Sequence, residues 1–94
     1  MRKYESVFIF APNLSDEERV ARFDRMKNVI EATGATVEID EWGTRKLAYE
    51  INDFKEGYYY VCQYEANNEV LTEVDRIAHI TDGLLRNLTL KMEK

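Results

Sequence analysis

Cysteine, histidine and proline occur once each in this 94-residue sequence, and glycine four times. The single cysteine, Cys62, leaves no intramolecular disulfide, which fits a reducing cytosol. A metal centre needs several converging ligands. Cys62 and the lone His79 fall on different predicted elements with no ligand spacing between them. Cys62 is therefore expected as a small packing residue and His79 as a half-exposed helix residue. Nucleophilic catalysis needs a nucleophile, a base and an orienting group, a set that one histidine hardly supplies. The scattered glycines form no phosphate-cradling loop. The longest apolar run, Val7 to Ala11, is far too short to span a bilayer. Met1-Arg2-Lys3-Tyr4-Glu5 contains no apolar stretch of the kind a secretory signal carries, so none is expected. Positive charge is also short: 13 Lys and Arg stand against 18 Asp and Glu, for a net charge of -5. Taken alone, that balance argues against nucleic-acid binding, because phosphate contacts require clustered Lys and Arg. Any RNA role must rest on a local basic patch, a basic partner, or both.

Hydrophobic residues make up 45% of the chain, enough for one core and too many for a disordered segment. The length suits a single domain over residues 1–94. Tyr4 to Phe10 is rich in aromatic and β-branched residues and reads as a first strand, apolar on both faces toward its end and so central in a sheet. Pro12-Asn13 stops it. Ser15 with Glu18 forms a capping box, and Asp16 and Glu17 suit the positive end of the helix that follows. Val20, Phe23, Met26 or Lys27, and Ile30 supply its expected buried stripe, and Gly34 a left-handed end. Val37 and Ile39 alternate with Glu38 and Asp40 in a second strand, which bends at Gly43 and resumes from Leu47 to Ile51. Asn52 to Gly57 reads as a turn, and Tyr58 to Tyr64 as a third strand. Asn67 or Asn68 caps a second helix with Val70 or Leu71, Val74, Ile77 and Ala78 inward, ended by Asp82-Gly83. Leu88, Leu90 and Met92 alternate with polar residues in a last strand. The order β-α-β-β-α-β is that of the α+β ferredoxin-like fold: a four-stranded antiparallel sheet, spatial order 4-1-3-2, with both helices on one face.

Paired acids at Asp16-Glu17-Glu18 and Asp40-Glu41 read as solvated surface. Two basic clusters draw more interest. Arg45 and Lys46 follow the Gly43 bend. Arg2 and Lys3 precede the first strand, beside the end of the fourth, so Arg2, Lys3, Lys91 and Lys94 are expected to gather at one end of the sheet. Ordinary solubilising charge explains such residues as well. Gly57-Tyr58-Tyr59-Tyr60-Val61 partly echoes the third-strand signature of RNA-recognition motifs, with Val7-Phe8-Ile9 a fainter echo of the first. Tyr59 stands where that signature needs a small residue, and Gln63 where it needs an aromatic one. Core packing plus a protein-contact face is the favoured reading of the tyrosines.

One segment is more specific. Trp42-Gly43-Thr44-Arg45-Lys46-Leu47-Ala48-Tyr49-Glu50-Ile51 closely resembles the hallmark of the bacterial small-subunit ribosomal protein S6 family. Further matches follow in order: Met1-Arg2-Lys3-Tyr4-Glu5, Pro12-Asn13-Leu14, Gly34-Ala35, Val37-Glu38 and Gly57-Tyr58. The resemblance implies a ferredoxin-like fold, no enzymatic activity, no cofactor and no small-molecule substrate. It also implies binding to small-subunit ribosomal RNA, paired with the eighteenth protein of that subunit, in the cytoplasm and away from any membrane. Carried onto this chain, Arg2, Lys3, Arg45 and Lys46 become the RNA-contact candidates, followed by Arg86 and Lys91. A basic partner would ease the conflict with the net charge. Many members carry an extension past the fourth strand, where this sequence ends at Lys94. Two other functions fit the same fold. A stand-alone RNA-recognition protein is opposed by the defective aromatic signature and the acidic charge. An acyl-phosphate hydrolase would need an Arg in the loop after the first strand, which here reads Ala11-Pro12-Asn13-Leu14.

Overall fold

Alternation along the strands sorts the side chains into two unlike sets, and the architecture follows from burying one of them. The computed structural model describes residues 2–92. The elements are β1 (Arg2–Phe10), α1 (Asp16–Glu31), β2 (Glu38–Ile51), β3 (Phe54–Ala66), α2 (Asn68–Ile80) and β4 (Leu84–Lys91). All pairings are antiparallel in the order β2-β3-β1-β4, with β1 central as its two apolar faces require. Ser6, Phe8 and Phe10 of β1 lie opposite Cys62, Tyr60 and Tyr58 of β3. This set faces the helices, where Phe23, Met26 and Ile30 of α1 and Val70, Val74, Ile77 and Ala78 of α2 close the core. Phe23 stacks on Tyr60 at 4.1 Å, and Phe8 and Phe10 meet Phe23 and Tyr60 edge-on. The one buried hydroxyl of β1 is satisfied: Ser6 Oγ lies 2.6 Å from Tyr64 Oη and 2.8 Å from Thr89 Oγ1.

The caps form as expected. Ser15 Oγ accepts from the Glu18 amide while the Glu18 carboxylate accepts from the Ser15 amide, and Asn67 accepts from the Val70 amide at the start of α2. Gly34 adopts φ +88° after α1. The stripe of α1 departs from expectation at one place. Val20 is 45% exposed, and Arg19 is buried in its stead. Its guanidinium lies 3.6 Å from the centre of the Tyr58 ring, donates to Tyr60 Oη and pairs with Asp16. Ringed by two phenols and a carboxylate, this long side chain covers the aromatic core better than a valine could. Met26, not Lys27, is the fully buried member.

The expected turn over Asn52–Gly57 shrinks to Asn52-Asp53. Ile51 pairs directly with Phe54, and both intervening residues have positive φ, at 49° and 69°, which matches the twist of a two-residue hairpin. β3 therefore begins at Phe54 and β2 runs on to Ile51. β1 likewise starts two residues before Tyr4. In β4 the alternation is inverted relative to the helices. Asn87 and Thr89 turn toward them, while Leu88 and Leu90 turn to the uncovered face.

Candidate nucleic-acid interface

β2 is irregular where the hallmark segment lies, and the irregularity builds the site. At Gly43 the register with β3 shifts by one residue and φ is +77°, a backbone angle that disfavours any side chain. Nothing else in the chain crowds its Cα, so the demand there is conformational. Between Lys46, opposite Glu56, and Ile51, opposite Phe54, β2 has four residues where β3 has only Lys55. The surplus, Leu47-Ala48-Tyr49-Glu50, arches over the uncovered face of the sheet. Leu47 is buried there, in a recess with Ile9 and Tyr59. Gly57 lies beneath, and a Cβ on it would collide with Ile9. The Tyr49 hydroxyl accepts from the Arg86 guanidinium of β4, tying the arch to the far edge of the sheet.

The basic candidates are distributed differently from expectation. Arg45 and Lys46 are neighbours in the chain but project to opposite sides of β2. Arg45 is opposite Gly57 on the uncovered face, and Lys46 lines a recess with Pro12 and Lys55. Lys55 is the member the sequence reading missed. The Ile51–Phe54 hairpin could have pointed to it, had the turn been read as two residues. None of these three cations makes an ion pair among the described residues. The gathering expected at the other end is divided by face. Arg2, opposite Ala66, and Lys91, opposite Tyr4, extend on the helix side, and Lys3, opposite Glu65, on the uncovered side. Lys94 lies outside the described residues. Arg86 is engaged with Tyr49 and so acts first as a tether.

Around Lys3 the uncovered face is acidic. Glu5, Glu38, Asp40 and Glu65 all lie on it. Trp42 stacks on Tyr59, centroids 6.2 Å apart, and donates its indole N–H to Asp40 at 2.9 Å. The other tyrosines of β3 serve the helix side: Tyr60 and Tyr64 are buried, and Tyr58 donates to Glu41, which with partial burial raises its pKa. His79 is exposed, more so than the half-exposed position expected, and its Nδ1 lies 2.8 Å from the Asp75 carbonyl. Cys62 is buried, as expected of a packing residue, and burial pushes its thiol up to about 12. Among the described residues no helix is long and apolar enough to cross a membrane.

Comparison with known proteins gives this arrangement a family. The profile described as Ribosomal protein S6 matches residues 3–91. The small ribosomal subunit protein bS6 of Clostridium novyi is 46% identical over 95 residues, covering 100% of both chains. That of Clostridium beijerinckii is 48% identical over 89 residues and 94% of each. Among solved structures, the 30S ribosomal protein S6 of Thermotoga maritima superposes with a TM-score of 0.88 at 35% identity, over 97% of this chain and 87% of that one. The designed protein Foldit4, 15% identical with a TM-score of 0.56, shares the fold alone. With the hallmark segment forming the arch and tether and the match running the length of the sheet, this chain belongs to the ribosomal protein S6 family, whose members are structural proteins and not enzymes.

Proposed function

We propose that the chain is a structural component of the bacterial small ribosomal subunit, acting in the cytoplasm, where it binds the subunit's RNA alongside a basic protein, the eighteenth of that subunit. The kinship over residues 3–91 carries this reading. The charge distribution supports the need for a partner. At net -5 the isolated chain has no long-range attraction for phosphate. Its usable cations are local: Arg45, Lys46 and Lys55 around the hairpin, and Arg2 and Lys91 at the opposite end of the sheet. A basic neighbour adds positive charge and holds these cations in register with the RNA. The carboxylates on the uncovered face oppose a stand-alone protein that stacks bases on its sheet.

The test is RNA affinity of the two-protein complex across a salt series, for wild type and for Arg45→Ala with Lys46→Ala. The double variant should bind more weakly, and each lost phosphate contact should lower the salt slope of log affinity by about 0.7–0.9. Unchanged affinity and slope would return both residues to the solvated surface. Tight RNA binding by the wild-type chain alone would remove the partner from the reading.

A further inference from the structure

We propose that Arg19, Tyr58 and Glu41 form a brace from α1 to β2 that holds the cation-bearing end of β2 in place, which makes Arg19 and Tyr58 positioning residues for RNA. The inference rests on the RNA role proposed above and adds how the cations near the hairpin are kept in their arrangement.

The first observation is how little backbone holds that end. Between Glu41 and Ile51, β2 keeps regular register with β3 only from Gly43 to Lys46, with the bulge on one side and the arch on the other. Arg45 and Lys46 thus stand on a short paired stretch between two irregular ones, in an edge strand of the sheet. A bulge bends and twists its strand, so a change of angle there moves everything beyond it. Gly43 takes its φ of +77° at little cost, but a glycine takes many other angles as readily. It permits the bend without fixing it.

The second observation is a side chain that spans the bulge. Tyr58 lies opposite Thr44, after the bulge, and its hydroxyl donates to Glu41, before it. One phenol ties both flanks of the bend together. Its pKa is raised, first by that hydrogen bond, so at neutral pH the phenol keeps its proton and remains a donor. The third observation is what holds the phenol. The Arg19 guanidinium lies 3.6 Å from the centre of the Tyr58 ring, donates to Tyr60 Oη at 3.2 Å and pairs with Asp16 at 2.9 Å. Tyr60 is itself wedged between Phe23 and Phe10. Carboxylate, guanidinium, phenol and carboxylate therefore follow one another from the first turn of α1 to the edge of the bulge, each satisfying the next.

The experiment measures the affinity of the two-protein complex for small-subunit ribosomal RNA across a salt series. Tyr58→Phe, Arg19→Met and Glu41→Ala should each weaken binding about five- to tenfold with the salt slope unchanged, because no phosphate contact is lost. Glu41→Gln should stay within about twofold of wild type, since its amide oxygen still accepts from the phenol. Tyr58→Phe combined with Glu41→Ala should do no more harm than either alone. Val74→Ala, buried on α2, controls for lost stability and should stay within about twofold. Melting curves check that each variant is folded at the assay temperature, and Tyr58→Phe, the smallest change, decides if Arg19→Met is not. Brace variants within about twofold of wild type, with Arg45→Ala and Lys46→Ala together still weakening binding, overturn the brace and leave the RNA role intact. Equal loss in Val74→Ala also overturns it, as does a lower salt slope in Arg19→Met, which would make Arg19 a phosphate contact. Failure of the wild-type complex to bind overturns both.

Discussion

The two faces of one sheet are made by the same four strands, often by adjacent residues, yet they obey different rules. On the helix side, Phe8, Tyr60 and Phe23 interlock with edge-on and stacked geometry, and the buried hydroxyls have partners. On the other side, Trp42, Leu88 and Leu90 sit in the open beside carboxylates that form no ion pair among the described residues, while Leu47 and Ile9 are buried at the arch of irregular chain. The first face has its packing partners within the chain. The second has no helix packed over it. The difference teaches that adjacent residues can meet opposite demands, because the strand period of two sends alternate side chains to a packed face and an open one.

Substitutions should therefore divide by face. The largest loss is expected from Phe8→Ala, which empties the centre of the covered face and should cost about 3–5 kcal/mol in denaturant unfolding. A smaller value would mean that the aromatic cluster can collapse onto the gap. Gly57→Ala comes next at about 1–3 kcal/mol, because the added methyl group strikes Ile9 beneath the arch. In an Ile9→Ala background the same substitution should cost much less. Equal costs in both backgrounds would place the strain elsewhere.

Ser15→Ala, at the end of the helix layer, should cost about 0.5–2 kcal/mol. Its partner adds a pH dependence. The Ser15 amide, with the Ser15 hydroxyl, holds the Glu18 carboxyl below its ordinary 4.5. A group whose pKa falls on folding stabilises above its unfolded value, and the contribution is lost as pH drops through the folded value. Wild type and Glu18→Gln should therefore differ at pH 7 and converge in acid, as read by thermal melts from pH 7 to 2. A constant gap would remove the carboxylate from the cap. The smallest effect belongs to the open face: Leu90→Ser should change stability by no more than about 0.5 kcal/mol. A loss above about 1 kcal/mol would erase the contrast between the faces.

Element order, strand order and both N-caps were legible because period, cap chemistry and glycine placement are local signals. What failed to read depended on partners across the fold. Val20 has the apolar type that a helical stripe asks for, but Arg19 faces the phenols of Tyr58 and Tyr60, and no periodicity shows that a guanidinium will be enclosed by them. Arg45 and Lys46 look like one cluster in the chain, although the strand period separates them. The four-residue arch could not be counted until the hairpin was known to close at Asn52-Asp53, and Lys55 was lost with it. Gly43 was readable as a bend, and its left-handed angle is why glycine is favoured there.

Cys62 gives the covered face a clock. Buried, and with its thiol pushed up to about 12 by that burial, Cys62 is held in the folded chain almost wholly as the unreactive thiol. A maleimide or an oxidant can thus react at an appreciable rate only when the sheet and helices part. The single cysteine counts openings of the whole core, and its labelling half-life should lengthen when anything binds the folded chain and not the unfolded one. Binding at the surface then becomes measurable as chemical silence in the core.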